Sequence, residues 1–160
     1  MQPGELQEGG QVSGRRAELP TVTEIDHIAI AVRDIDAAID WYRAALGARV
    51  AHRERIDQDG VEEALLSVAE SFIQLLTPIT AVSPVARFLE RKGEGLHHVG
   101  YRVPDCAAAI EAMRSAGAQL IDERPRPGSR GTTVAFVHPR SAFGTLIELV
   151  QPPSDADPAT

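Results

Sequence analysis

GLHHVGYRVPD, Gly95 to Asp105, decides the fold, because much the same text stands earlier in the chain. HIAIAVRD (His27 to Asp34) lies over HVGYRVPD (His98 to Asp105) at a displacement of 71, with His, Val and Asp coinciding. The match runs on through DIDAAIDWYR over DCAAAIEAMR, which sets Ile39 on Ile110 and Arg43 on Arg114. At the far end SFIQLLTP (Ser71 to Pro78) lies under TLIELVQP (Thr145 to Pro152), at a displacement of 74, and Gln74 falls on Glu148. Agreement at both ends and in the middle identifies a duplicated unit. Two pairs of equivalent positions are then filled by potential metal ligands, His27 with His98 and Gln74 with Glu148.

Each copy reads β-α-β-β-β. TEIDHIAIAV alternates as a strand, with Ile25, His27, Ala29 and Ala31 on one face and Ile28, Ile30 and Val32 on the other. The aliphatic face calls for a helix over it. That helix follows, capped by Asp34, with Ile35, Ile39, Tyr42 and Leu46 at helical spacing, Trp41 and Tyr42 on its inner side, and Gly47 ending it. ARVAHRERI and VEEALLSV are strands joined through IDQDG, and SFIQLLTP is the third. Ser83 and Pro84 open a connecting helix that stops at Gly93. In the second copy HVGYRV precedes a helix from Asp105 to about Ala116; then come a strand and a loop within QLIDERPRPGSRG, and the strands TTVAFVHP and TLIELVQ. The fold class is α+β, with βαβββ modules at 24–82 and 95–152, a connecting helix at 83–94, a disordered leader at 1–23 and a frayed tail at 153–160.

Strand parity places the candidate ligands on one face. His98, Gly100 and Arg102 alternate away from Val99, Tyr101 and Val103; Gln74 opposes Ile73 and Leu75; Glu148 opposes Ile147 and Leu149. Two sheets curling toward each other bring the four residues to the centre of a cup. Two imidazoles, an amide oxygen and a carboxylate suit a hard or borderline divalent ion with positions open for substrate. A lone strand histidine is ordinarily core material, but Glu or Gln inside an aliphatic strand costs several kcal/mol without a partner, and both LIELV and FIQLL carry one. His97 has the opposite parity and a supporting role; a one-residue slip would put it in place of His98. His52 and His138 have no equivalent in the other copy and read as surface or loop residues.

The chain has 160 residues, 43% of them hydrophobic, and a formal net charge of −7. That charge argues against nucleic acid, whose phosphates need clustered Lys and Arg. No apolar run approaches the ~20 residues that span a bilayer, and MQPGELQEGG has no signal-peptide character, so a soluble cytoplasmic protein is expected. The single cysteine, Cys106, reads as a buried helix residue in a reducing compartment.

The modules with HIAIAV, FIQLL, GLHHVGYRV and HPRSAFGTLIELVQ resemble the vicinal oxygen chelate superfamily and, within it, the methylmalonyl-CoA epimerase family. The resemblance spans about Glu24 to Pro152. Its narrower part rests on Gln74, on GLHH, on HP-x-S-x-x-G-x-L-I-E-L and on Asp59-Gly60-Val61-Glu62-Glu63. It implies a glyoxalase-like cup, a divalent metal (cobalt first, with manganese, nickel or zinc as alternatives) on His27, Gln74, His98 and Glu148, and acid/base carboxylates at Glu63 and Glu148. It also implies an acyl-CoA substrate, epimerised through a metal-chelated enediolate, and a homodimer. One cation on the thioester and carboxylate oxygens stabilises the enediolate, and inversion needs groups on both faces. Glu63 shares parity with Val61 and Leu65 and can face the cup. Glu148 is either ligand and base together or a ligand with water relaying the proton. Arg124, Arg126 and Arg130 either meet the coenzyme A phosphates or form a solvated loop.

Three other readings use the same scaffold. A glyoxalase-type lyase or isomerase characteristically has Glu at the place of Gln74. An iron dioxygenase uses two His and one Glu and leaves Gln74 idle. A non-catalytic binding module would hold no stoichiometric metal.

Overall fold

The computed structural model describes residues 22–154, so the expected leader and tail lie, but for two residues each, outside the described residues. The elements are β1 (Glu24–Ala31), α1 (Ile35–Leu46), β2 (Arg49–Ile56), β3 (Val61–Val68), β4 (Ser71–Pro78), α2 (Pro84–Lys92), β5 (Gly95–Arg102), α3 (Cys106–Ser115), β6 (Arg126–Pro127), β7 (Thr133–Val137) and β8 (Ile147–Gln151). All eight strands join one sheet in the order β2-β3-β4-β1-β5-β8-β7-β6. Its centre is the antiparallel β1–β5 pair; outward of it, β1 pairs in parallel with β4, and β5 in parallel with β8. Each module contributes half of a curled sheet, related to the other half as the sequence repeat requires.

The two modules begin their helices by the same device. Asp34 accepts from the Ala37 amide and Asp105 from the Ala108 amide, both at 3.0 Å, after backbone held extended at the cap. Ser83 does the same for α2 through the Ala86 amide. The α1 face then buries Ile35 and Ile39 against Val32, Ala64, Leu66 and Leu75. On the other half, α3 buries Ala109 and Ile110 against Val103, Ala135, Val137 and Leu149. A third cluster joins α2, through Val85 and Leu89, to Ala29, Ala31, Val61 and Leu76 on the concave side. The connecting helix thus closes one end of the cup and turns it from an open trough into a cavity.

Three local expectations are corrected. Trp41 and Leu46 do not pack inward; they are 59% and 53% exposed, and Tyr42 alone of the aromatic pair joins the core edge. The strand expected in QLIDERPRP shrinks to Arg126–Pro127 and a single bridge from Leu120 to Val137, because Pro125 and Pro127 have no amide donors to extend a ladder. Simple alternation also fails at two places in the central pair. Register shifts fall between Ile25 and His27 and between Ala29 and Ile30. At the second shift Ala29 opposes His98 and Ile30 opposes Leu96, so His97 is the extra residue of a bulge.

Candidate metal and acid–base site

Four strands bring one buried side chain each to the floor of the cup: His27 from β1, Gln74 from β4, His98 from β5 and Glu148 from β8. Pairing places them side by side. Ala29 stands opposite both Gln74 and His98, and Gly100 opposite both His27 and Glu148. His27 Nε2 and His98 Nε2 are 3.0 Å apart, and Glu148 Oε2 lies 3.1 Å from the first and 3.2 Å from the second. Three donor atoms this close together could hold one divalent ion. Gln74 adds an amide whose Nε2 donates to Glu63 Oε2 at 2.8 Å, while its Oε1 is buried with no partner. A buried amide oxygen without a donor is a cost that a cation removes.

The charges agree with this fit. Burial opposes ionisation of Glu148, but hydrogen bonds from His27 and His98 outweigh it and hold the carboxyl down to about 2. Burial would likewise lower His27, yet Asp26 and Glu148 raise it to about 9. The cluster thus attracts positive charge, a proton or a metal ion. Asp26 accepts from His27 Nδ1 at 2.8 Å, which reserves Nε2 for the ion. Asp26 is itself clamped by Arg102, at 2.9 and 3.1 Å, and by Arg130, at 2.7 Å. His97 Nδ1 lies 2.9 Å from His98 Nδ1, and its ring packs on Phe88. Burial and the neighbouring His98 push His97 down to about 4, so it stays neutral and can accept the His98 proton.

Above the floor is a cavity of about 210 Å³ with apolar walls that include Val61, Leu76, Val134, Phe136 and Val150. Glu63 faces it from β3. This carboxylate is 2% exposed, and burial raises its pKa against the opposing Ser129 hydroxyl, with the Glu148 charge adding to the rise. Its Oε1 has no partner.

The sequence profile of the glyoxalase/bleomycin resistance protein/dioxygenase superfamily matches residues 26–136. The chain belongs to this superfamily. It is 37% identical to the Cereibacter sphaeroides ethylmalonyl-CoA/methylmalonyl-CoA epimerase, over 81% of this chain and 98% of that one. The crystal structure of the Mycobacterium tuberculosis methylmalonyl-CoA epimerase superposes with a TM-score of 0.79 at 42% identity, covering 82% of this chain and 89% of that one. A variant of the Streptomyces coelicolor methylmalonyl-CoA epimerase in complex with 2-nitronate-propionyl-CoA gives 0.79 at 36% identity, covering 84% and 100%.

Within this superfamily fold, other residues singled out in the sequence stand away from the floor. His52 pairs with Glu54 on β2, and His138 caps a turn by accepting from the Arg140 amide. Cys106 is buried, and burial pushes its thiol up to about 11, so it is no nucleophile. The arginine loop is not a free phosphate site. Arg126 points inward to Asp59 and Asp122, at 3.2 and 3.3 Å, Arg130 points inward to Asp26, and only Arg124 is exposed. Conversely, simple alternation sets Ile25 beside His27 and His97 away from His98; the register shifts turn Ile25 outward, let the His97 ring meet His98, and bring Asp26, to which the strand pattern gives no role, against His27. The signal for Asp26 was present as a carboxylate inside EIDHIAIA.

Gly100 serves the floor by having no side chain. A Cβ there would lie 2.5 Å from the His27 ring, so the glycine makes room for the imidazole of the other module. Gly100→Ala should therefore tilt His27 off the triangle. The expected outcome is a loss of metal affinity of about 10- to 100-fold, the range for a disturbed supporting contact, with the fold retained. Metal titration followed by circular dichroism checks it, and unchanged affinity would refute the steric argument.

Proposed function

We propose that this protein is a methylmalonyl-CoA epimerase. The observation that carries the reading is Glu63: a second buried carboxylate, with a raised pKa and an unpartnered oxygen, faces the cavity that holds the histidine–glutamate triangle. An iron dioxygenase site would use the same triangle and have no task for Glu63. Gln74, where a glyoxalase-type isomerase carries Glu, separates the reading from that one.

His27, His98 and Glu148, with Gln74 as the fourth ligand, would hold a divalent metal, for which we propose cobalt first, with manganese, nickel or zinc as alternatives. When bound, the ion supplies a Lewis acid for the thioester and carboxylate oxygens of the substrate and so acidifies the proton between them. Glu63 is the base on one face. Its raised pKa brings it toward the acidity at which proton transfer runs efficiently in both directions. Glu148 serves the other face, either through Oε1, since Oε2 is the oxygen engaged with the imidazoles, or through a water that relays the proton, because a carboxyl held at about 2 is a weak base on its own. Epimerisation is removal of the C2 proton by one carboxylate, a planar enolate, and return of a proton from the other. The apolar walls keep water from competing. A cavity of about 210 Å³ takes the acyl end and leaves coenzyme A outside. The test is one epimer of methylmalonyl-CoA in deuterated water with the metal-loaded protein, where inversion with deuterium at C2 is expected. No exchange and no inversion would reject the reading.

We also propose a homodimer through the convex face of the central strands. Ile25, Ile28 and Leu96 are 58%, 37% and 56% exposed there, because α1 packs over β3 and β4 and α3 over β7 and β8, leaving β1–β5 uncovered. Large apolar side chains exposed on a strand pair with no covering helix support an interface there. Sedimentation equilibrium should give twice the chain mass for the protein and a monomer for Leu96→Glu; a monomeric parent would refute the assignment.

A further inference from the structure

Two arginines line the cavity among the described residues, Arg126 and Arg130, and their states differ. Arg126 is engaged by two carboxylates, Asp59 and Asp122, and stacks over the Phe136 ring. Arg130 makes a single side-chain hydrogen bond, from Nη2 to Asp26 at 2.7 Å, and its Nε is buried without a partner. A guanidinium carries five N–H donors, so most of this one's capacity is unspent. Its backbone is also unusual. Arg130 has φ 56° and ψ 24°, a left-handed conformation in which Cβ crowds the backbone, and it is followed by Gly131 at φ 69°. The strained turn is tied down by the Arg130 amide donating to Glu54 Oε2 at 3.1 Å and by Thr132 donating to the Ser129 carbonyl at 2.7 Å. Its consequence is to send the guanidinium into the cup rather than into solvent. Strain held in place at a cavity wall points to a functional demand.

A substrate of the proposed kind brings such a demand. The malonyl-type head group carries a free carboxylate, and each of its oxygens that leaves water without a partner costs binding energy. We propose that Arg130 is a specificity-determining residue that donates to the carboxylate oxygen of a 2-carboxyacyl thioester that the metal would leave free, and so selects malonyl-type over neutral acyl thioesters. The assignment rests on the substrate class of the proposed function. Arg126, already saturated by two acids, is excluded from the same task.

The experiment compares two probes on the metal-loaded protein by calorimetry: methylmalonyl-CoA and propionyl-CoA, which lacks only the carboxylate. The parent should bind the first more tightly. Arg130→Gln should lower that preference by about tenfold or more, the worth of a hydrogen bond to a charged group, with propionyl-CoA affinity and metal per chain unchanged. Arg130→Lys keeps a cation for Asp26 but has no fork of donors; it should also lower the preference, and it decides the matter if the Gln variant does not fold. An undiminished preference in every folded variant overturns the assignment. Loss of metal in step with the preference would show that Arg130 acts only through Asp26, and overturns it too. A parent with no preference between the probes rejects the substrate reading itself, which separates that failure from this one.

Discussion

Glu63→Gln is expected to slow epimerisation by about three orders of magnitude while leaving metal per chain unchanged. General acid–base groups contribute about 10²- to 10⁴-fold, and this substitution removes the titrating proton with almost no change of shape. The substituted amide retains an oxygen to accept from Gln74 Nε2, the 2.8 Å contact that Glu63 now makes. The fold and the four-residue floor should therefore survive. The isotope pattern is more informative than the rate. With one carboxylate per face, the variant should still exchange the C2 proton of the epimer that presents it to Glu148, and should fail to invert it. Rapid-quench sampling of each epimer in deuterated water reads both quantities. Exchange from both epimers at the parent rate would remove Glu63 from the mechanism.

The second large effect is on the metal. His98→Ala removes one corner of a triangle whose sides are 3.0 to 3.2 Å, and should lower metal affinity by more than about 100-fold, the upper end for losing a mere supporting partner. Epimerisation should fall to background and return in part only at high metal concentration. His97→Ala is the control that makes this decisive. His97 only accepts from His98 through the 2.9 Å Nδ1 contact, so its loss should stay within about 10- to 100-fold and leave turnover at saturating metal nearly intact. Competition against a chromogenic chelator gives both affinities. If the two variants exchange these phenotypes, His97 is the ligand and the assignment at the bulge is wrong.

That His97–His98 choice shows how far a linear reading goes. Duplication was legible because both modules need the same helix-facing aliphatics and the same buried polar positions. His27, Gln74, His98 and Glu148 stood out as side chains too costly to bury alone. Glu63 was legible through its parity with Val61 and Leu65, since β3 and β4 pair without a shift from Val61–Pro78 to Val68–Ser71. The β1–β5 pair is different: its register shifts admit an extra residue, and hydrophobic alternation over eight-residue strands carries no mark of where that falls. Alternation accordingly misplaces Ile25 and His97 and gives no role to Asp26.

By itself, then, the sequence determined the repeat, the β-α-β-β-β order and the identities on the floor of the cup, because these follow from local periodicity and from the cost of burying lone polar groups. Only the tertiary structure decided which atoms meet. It turned Arg126 and Arg130 inward to acids up to 104 positions away in the chain. It also left Ile25, Ile28 and Leu96 without a covering helix, although their residue types read as core. The physical reason is the same in both cases: local patterning states what a side chain needs, and the closure of the sheet determines which partner, or none, stands within reach.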